Sequence, residues 1–139
     1  LSTRLGLDDR VTFHGWLGPD QVSDLMMQAR AVGFPSLWNE PAGLISLEAA
    51  AAGRAVIASR VGGIPEYASD AFALLTRPGA PSALADAMST LATDYERAAE
   101  LGHAGRRVVA DRFGMDRFLS GLRGLYKVVR ERSLSPALS

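Results

Sequence analysis

Two glutamates eight residues apart, Glu40 and Glu48, lie in the stretch Asn39-Glu40-Pro41-Ala42-Gly43-Leu44-Ile45-Ser46-Leu47-Glu48. Paired carboxylates can accept hydrogen bonds from ligand hydroxyls or exchange protons. On one straight helix, eight residues at a rise of ~1.5 Å would hold the two backbones about 12 Å apart and turn them by roughly 80°. Pro41 argues against that arrangement, because proline is tolerated in the first turn of a helix and disruptive inside one. Glu40 is therefore expected at or before the helix start, over the mouth of a cleft, with Glu48 one to two turns in. Glu48 has Leu44 and Ile45 on one side and Ala51 and Ala52 on the other, so its carboxylate needs hydrogen-bond partners or it takes up a proton. Either it is a cleft-edge residue paired with water or a backbone N–H, or it accepts bonds from neutral hydroxyls such as the vicinal pair of a ribose.

Gly43 opens that helix, where backbone N–H groups point outward unpaired, and the missing side chain lets a phosphate or a sugar approach them. The same glycine could equally serve turn geometry alone. A second loop, Ser59-Arg60-Val61-Gly62-Gly63-Ile64-Pro65-Glu66, again sets glycines before a helix start, with Arg60 close by for an anion. Glu66 fits both a ligand contact and a helix-start charge favoured by the dipole. In Phe13-His14-Gly15-Trp16 the histidine has no Ser or Cys nucleophile as partner, and no metal-ligand spacing joins it to His103, so no metal site is expected. Trp16 and Trp38 fit the wall of a base or sugar site as well as the core or rim.

These loops need elements to hold them. Residues 1–7 read as a helix end closed by Gly6, and Val11-Thr12-Phe13 as a first strand. Gly18-Pro19-Asp20 starts a helix carrying an apolar stripe of Val22, Leu25, Met26 and Ala29. Ala31-Val32-Gly33-Phe34 suits a strand buried on both faces. A helix over residues 42–52 ends at Gly53, and Ala55-Val56-Ile57-Ala58 and Phe72-Ala73-Leu74-Leu75 supply two further strands. Helices follow over residues 81–91, 95–113 and 116–132. Short apolar strands joined by crossovers too long for hairpins predict an α/β fold, a Rossmann-like mostly parallel sheet flanked by helices. In such sheets ligands bind outside the carboxyl ends of the strands, which is where the three loops fall.

At 139 residues the chain is expected to form one domain over residues 1–132, followed by a flexible tail over residues 133–139. Fifteen basic residues, fourteen of them arginine, balance fifteen acidic ones, which argues against a protein devoted to nucleic-acid phosphates or anionic lipid. The lack of cysteine removes disulfides, thiolate metal sites and thiol nucleophiles. No apolar run approaches the ~20 residues a transmembrane helix needs.

Phe34-Pro35-Ser36, the stretch from Asn39 to Ala49, Ala52-Gly53, Val56-Ile57-Ala58 and Gly62-Gly63-Ile64-Pro65-Glu66 together resemble the nucleotide-sugar-binding domain of retaining glycosyltransferases of the GT-B fold. Within these they are similar to the family 4 group, also called glycosyl transferases group 1. The resemblance covers nearly the whole chain. It implies that Glu40 contacts hydroxyls of the donor sugar and acts in catalysis, and that Gly43 and Leu44 offer N–H groups to the sugar and diphosphate. It further implies that Glu48 holds the ribose, that backbone at His14 and Gly15 holds the base, and that Gly62, Gly63 and Glu66 shape the loop beside the donor. Ala42 departs from the family, which has a larger apolar or aromatic residue there. Nothing matches the upstream Gly-Arg strand end and the basic residues that neutralise the donor diphosphate.

The resulting expectation is a C-terminal, partial donor-binding domain of a cytoplasmic hexosyltransferase, whose partners are the nucleotide-sugar donor and an N-terminal acceptor domain outside this chain. The donor is a substrate, and no cofactor is implied. The chain alone is expected to be inactive and to self-associate, with peripheral membrane association of the parent compatible and no nucleic-acid partner. Two other readings stand beside it: a non-catalytic α/β nucleotide-binding or interaction module, and a glycoside hydrolase using the carboxylate pair across one bond.

Overall fold

The computed structural model describes residues 1–69 and 71–134. Three short strands, β1 (Ala31–Phe34), β2 (Ala55–Ser59) and β3 (Ala73–Thr76), form one sheet in the order β1-β2-β3. Both pairings are parallel, with Val32 opposite Val56 and Ile57 opposite Leu74. α1 (Pro19–Gln28) precedes the sheet and α2 (Leu44–Ala51) carries the chain from β1 back to β2. A 3-10 turn, Ile64–Glu66, interrupts the path to β3, and α3 (Pro81–Thr93), α4 (Tyr95–Phe113) and α5 (Met115–Leu134) follow. The α/β reading from alternating apolar runs and helices holds.

The starts of the helices follow from local chemistry. Pro19 stands in the first turn of α1, and the Gly18 N–H donates to Gln21 Oε1 at 3.0 Å. Asp94 caps α4 by accepting from the Arg97 N–H at 2.8 Å. α2 begins at Leu44 and not at Ala42, because Gly43 takes a left-handed φ of 57° that no residue inside a helix can adopt.

β2 is the centre of the molecule, with every residue buried. Its alternate side chains enter two different cores. Val56 and Ala58 pack with Ala49 and Ala50 of α2 and with Ile64, Tyr67 and Phe72. Ala55 and Ile57 pack on the other side with Ala87 and Leu91 of α3 and Ala98 and Leu101 of α4.

Two expectations at the sheet fail for one reason. Val11-Thr12-Phe13 is not a strand, and Phe13 is 82% exposed, because no strand among the described residues pairs with it. β-type side chains reflect a pleated, half-buried surface more than an intrinsic backbone preference, so without that surface the segment stays irregular. β1 is likewise not buried on both faces: it is an edge strand, with Gly33 exposed and its other residues half-buried. At the other end, α5 continues through Leu134, so two residues expected in the tail are helical, and residues 135–139 lie outside those described.

The two cores set the expected energetics. Leu101→Ala empties a wholly buried site between α3, α4 and β2 and should cost about 2–5 kcal/mol by urea denaturation. Met88→Ala, on the exposed surface of α3, should stay within about 0.5 kcal/mol.

Candidate functional site

Parallel strands all end on the same side of the sheet, so the loops after Phe34, Ser59 and Thr76 emerge side by side. The first leaves β1 through Pro35. Ser36 Oγ then donates to Glu40 Oε1 at 2.8 Å, which holds the half-buried Glu40 carboxylate against the strand end. As expected, Glu40 precedes the helix, but one of its oxygens is already engaged inside its own loop.

The second loop presses on the first, backbone against backbone. The Gly63 N–H donates to the Glu40 carbonyl at 2.9 Å. A Cβ on Gly62 would stand 2.0 Å from the Glu40 carbonyl oxygen, and one on Gly63 would stand 2.3 Å from that of Pro41. Gly62 also has a left-handed φ of 52°. Both glycines are therefore required to let the Glu40-Pro41 segment pass, whatever they do toward a ligand.

At the start of α2, the N–H groups of Leu44 and Ile45 find no backbone acceptor among the described residues, as first-turn groups do not. Gly43 itself is buried beneath Ile64 and Tyr67, and the Tyr67 hydroxyl donates to the Gly43 carbonyl at 3.1 Å. Burial raises the Tyr67 pKa above the ordinary phenol value, the nearby Ser46 hydroxyl opposes the shift, and the Glu40 charge adds to it.

Glu48 lies one turn further along α2 and is exposed. Its carboxylate makes no hydrogen bond or ion pair with the described residues, and access to solvent takes the place of the protein partner expected from its apolar neighbours. It lines a cavity of about 610 Å³ together with Trp16, Val22, Met26 and Ile45. The same open setting leaves Arg60 exposed and without an ion-pair partner among the described residues.

The structure brings Glu40, Gly43, Leu44, Gly62 and Gly63 together, but His14 is set apart. It lines a separate hollow with Gln21, Asp24 and Gln28 of α1, while its neighbour Trp16 reaches the Glu48 cavity. Gly15 is open, with a left-handed φ of 66°. Glu66 is exposed at the end of the 3-10 turn, and its carbonyl accepts from Arg112 Nη2 at 3.5 Å. Sequence reasoning assigned no role to Ser36, Tyr67 or Phe113, although Ser36 belongs to the motif that carries the resemblance. The Phe113 ring meets Tyr67 edge-on, with centroids 5.9 Å apart. Ser36 had a signal in its spacing of four from Glu40, whereas the pairing of Tyr67 with Gly43 spans 24 residues and had none. Among the described residues no three His, Cys, Asp or Glu side chains gather as a metal site would require.

A parallel sheet flanked by helices, with loops at its strand ends that carry a braced carboxylate, a helix start with free N–H groups and a solvent-facing glutamate, is an α/β domain of the Rossmann-like class. The family model described as glycosyl transferases group 1 matches residues 1–108, and the chain belongs to that family. It is 35% identical over 127 residues to a D-inositol 3-phosphate glycosyltransferase of Streptomyces avermitilis, an alignment covering 91% of this chain and 27% of that protein. Sucrose-phosphate synthase from Thermosynechococcus elongatus superposes with a TM-score of 0.84 at 32% identity, over 94% of this chain and 33% of the other. Anabaena Alr3699/HepE in complex with UDP superposes with a TM-score of 0.86 at 27% identity, over 91% of this chain and 35% of the other. The chain thus spans about a third or less of the length of each of these three proteins.

The contact between the two loops is open to test. Gly62→Ala combines a left-handed φ with a Cβ driven into the Glu40 backbone, and should cost at least about 1–3 kcal/mol in a denaturation experiment. Leucine 44 and Glu40 amide signals should shift in the same variant, whereas Gly121→Ala, with open space at its Cβ, should leave them in place.

Proposed function

We propose that the chain is the donor-binding part of a retaining hexosyltransferase of family 4, holding the nucleotide-sugar donor at the carboxyl ends of its strands. The observation that carries this reading is Glu48, a carboxylate without a partner among the described residues, set one turn inside a helix whose first N–H groups are also free. A carboxylate held this way can accept bonds from both hydroxyls of a ribose, and helix-start N–H groups can meet the diphosphate that follows it. Support comes also from Anabaena Alr3699/HepE, whose solved complexes include UDP and UDP-glucose.

In this reading Gly43 and Leu44 supply N–H groups to the sugar and diphosphate, and Glu40 meets the sugar hydroxyls with the oxygen that Ser36 does not occupy. The backbone of His14 and Gly15, adjoining Trp16 of the Glu48 cavity in the chain, holds the base, and Gly62, Gly63 and Glu66 shape the loop beside the donor. Transfer with retained configuration proceeds by front-face departure of the nucleoside diphosphate, which needs positive charge on the leaving group more than a protein nucleophile. That clamp and the acceptor site belong to parts of the full-length, cytoplasmic enzyme outside this chain. The chain alone binds the nucleoside end of the donor and transfers no sugar. No helix among the described residues is long and apolar enough to cross a membrane.

An NMR titration of the chain with UDP, GDP and ADP tests the site. UDP should give saturable shifts around Glu48, and Glu48→Ala should weaken it at least about tenfold, the effect of losing one charge-assisted bond. Silence from all three nucleotides would overturn the reading.

We also propose that the isolated chain self-associates through the apolar side chains exposed on α5, among them Phe118, Leu122 and Leu125, since exposed patches of this kind drive association. Light scattering should show a mass that rises with concentration, and a strictly monomeric mass at high concentration would contradict this.

A further inference from the structure

We propose that Tyr67 is a positioning residue for the diphosphate half of the donor, because its hydroxyl fixes the direction in which the Leu44 N–H points. The inference rests on the donor-binding reading above. Gly43 C=O and Leu44 N–H belong to one trans, planar peptide unit, so they point in opposite directions and whatever holds the carbonyl aims the N–H. The Gly43 carbonyl accepts two bonds, from the Ser46 N–H at 2.9 Å and from the Tyr67 hydroxyl at 3.1 Å. The first is part of the helix. The second comes from across the chain and reaches the carbonyl from inside the core.

The bond matters because Gly43 is the residue least able to hold its own conformation. Its left-handed φ is open to glycine at little cost, as are several other values, so a turn built on it stays fixed only when its surroundings hold it. Ser46 Oγ is wholly buried in the same place beside the Tyr67 hydroxyl, and among the described residues the Tyr67 hydroxyl is the side-chain group that bonds this carbonyl. Tyr67 is itself fixed from both sides. Its N–H donates to the Ile64 carbonyl in the 3-10 turn, and its ring meets Phe113 edge-on at the end of α4. The turn that presents the Leu44 N–H is thus tied to the last residue of a helix that lies outside the binding loops.

The test compares UDP with uridine on the intact 139-residue chain by NMR titration, for the parent sequence and Tyr67→Phe. The variant deletes the hydroxyl and keeps the ring against Phe113. UDP affinity should fall about three- to tenfold, the effect of losing one neutral hydrogen bond, while uridine affinity stays within about twofold and the Leu44 amide signal shifts. Unchanged UDP affinity in a variant whose parent binds UDP through Glu48 overturns this proposal and leaves the donor reading standing. An equal loss for UDP and uridine overturns it too, since the hydroxyl would then support the whole site. A parent chain that binds neither compound removes the donor reading and this proposal with it. Tyr67→Met, which fills the space with a flexible apolar chain, gives the same comparison if Tyr67→Phe does not fold.

Discussion

Where the loop after β2 crosses the loop after β1, main chain touches main chain with no side chain between them. The Gly63 N–H reaches the Glu40 carbonyl, and Gly62 lies so close to Glu40 that even a methyl group has no room. Such an approach brings backbone donors and acceptors of different segments into register, much as a strand pairing does, although neither segment is a strand. The position of Glu40 and the path of the chain through Pro41 follow from it. An exposed loop normally gains mobility, and this one is restrained by a neighbour at its base while its tip stays open.

The core beneath these loops is built to permit the same closeness. The buried face of α2 is Ser46, Ala49 and Ala50, small side chains that let the helix settle onto β2 and against α4. A Cβ at Gly105 of α4 would already touch Ala50 and Phe72 tightly, so the two helices meet at nearly the smallest separation their side chains allow. A helix seated so deeply has one face left for function. Glu48 occupies it together with Leu44, Ile45, Ala51 and Ala52, which lie three and four residues away on the same face, and because that face opens to solvent the carboxylate is hydrated and needs no protein partner.

Much of this was legible in the chain itself. The strands β1, β2 and β3 are short apolar runs bounded by turn formers, and Pro41 separated Glu40 from the helix of Glu48 correctly. The glycine pair stood out by its place before a helix start, but its role did not, since no local pattern tells a glycine that admits a ligand from one that admits another stretch of backbone. Val11-Thr12-Phe13 was misread because a strand is a relation between two segments and the sequence displays only one of them. Tyr67 and Phe113 escaped for the same kind of reason. Their partners are remote in sequence, and an aromatic after a short turn looks like ordinary core until the carbonyl that its hydroxyl meets is seen.

The two glutamates show how identical side chains come to stand in different settings. A hydrolase reading needs both carboxyl groups facing one bond, with environments that push their proton affinities apart. Here Glu48 faces a cavity walled by Trp16, Val22 and Met26, and Glu40 is not among the residues lining it. Glu40 instead accepts a bond from Ser36 and sits in a loop stapled to Gly62 and Gly63. A carboxylate fixed by a neighbour at one oxygen has a set direction for the other, which suits recognition of a hydroxyl at a defined position. A carboxylate free at both oxygens can take two hydroxyls at once, as a ribose presents them. Under the proposed donor-binding function, the pair would make two separate contacts along one extended ligand, with the free N–H groups at the start of α2 lying between them in the chain.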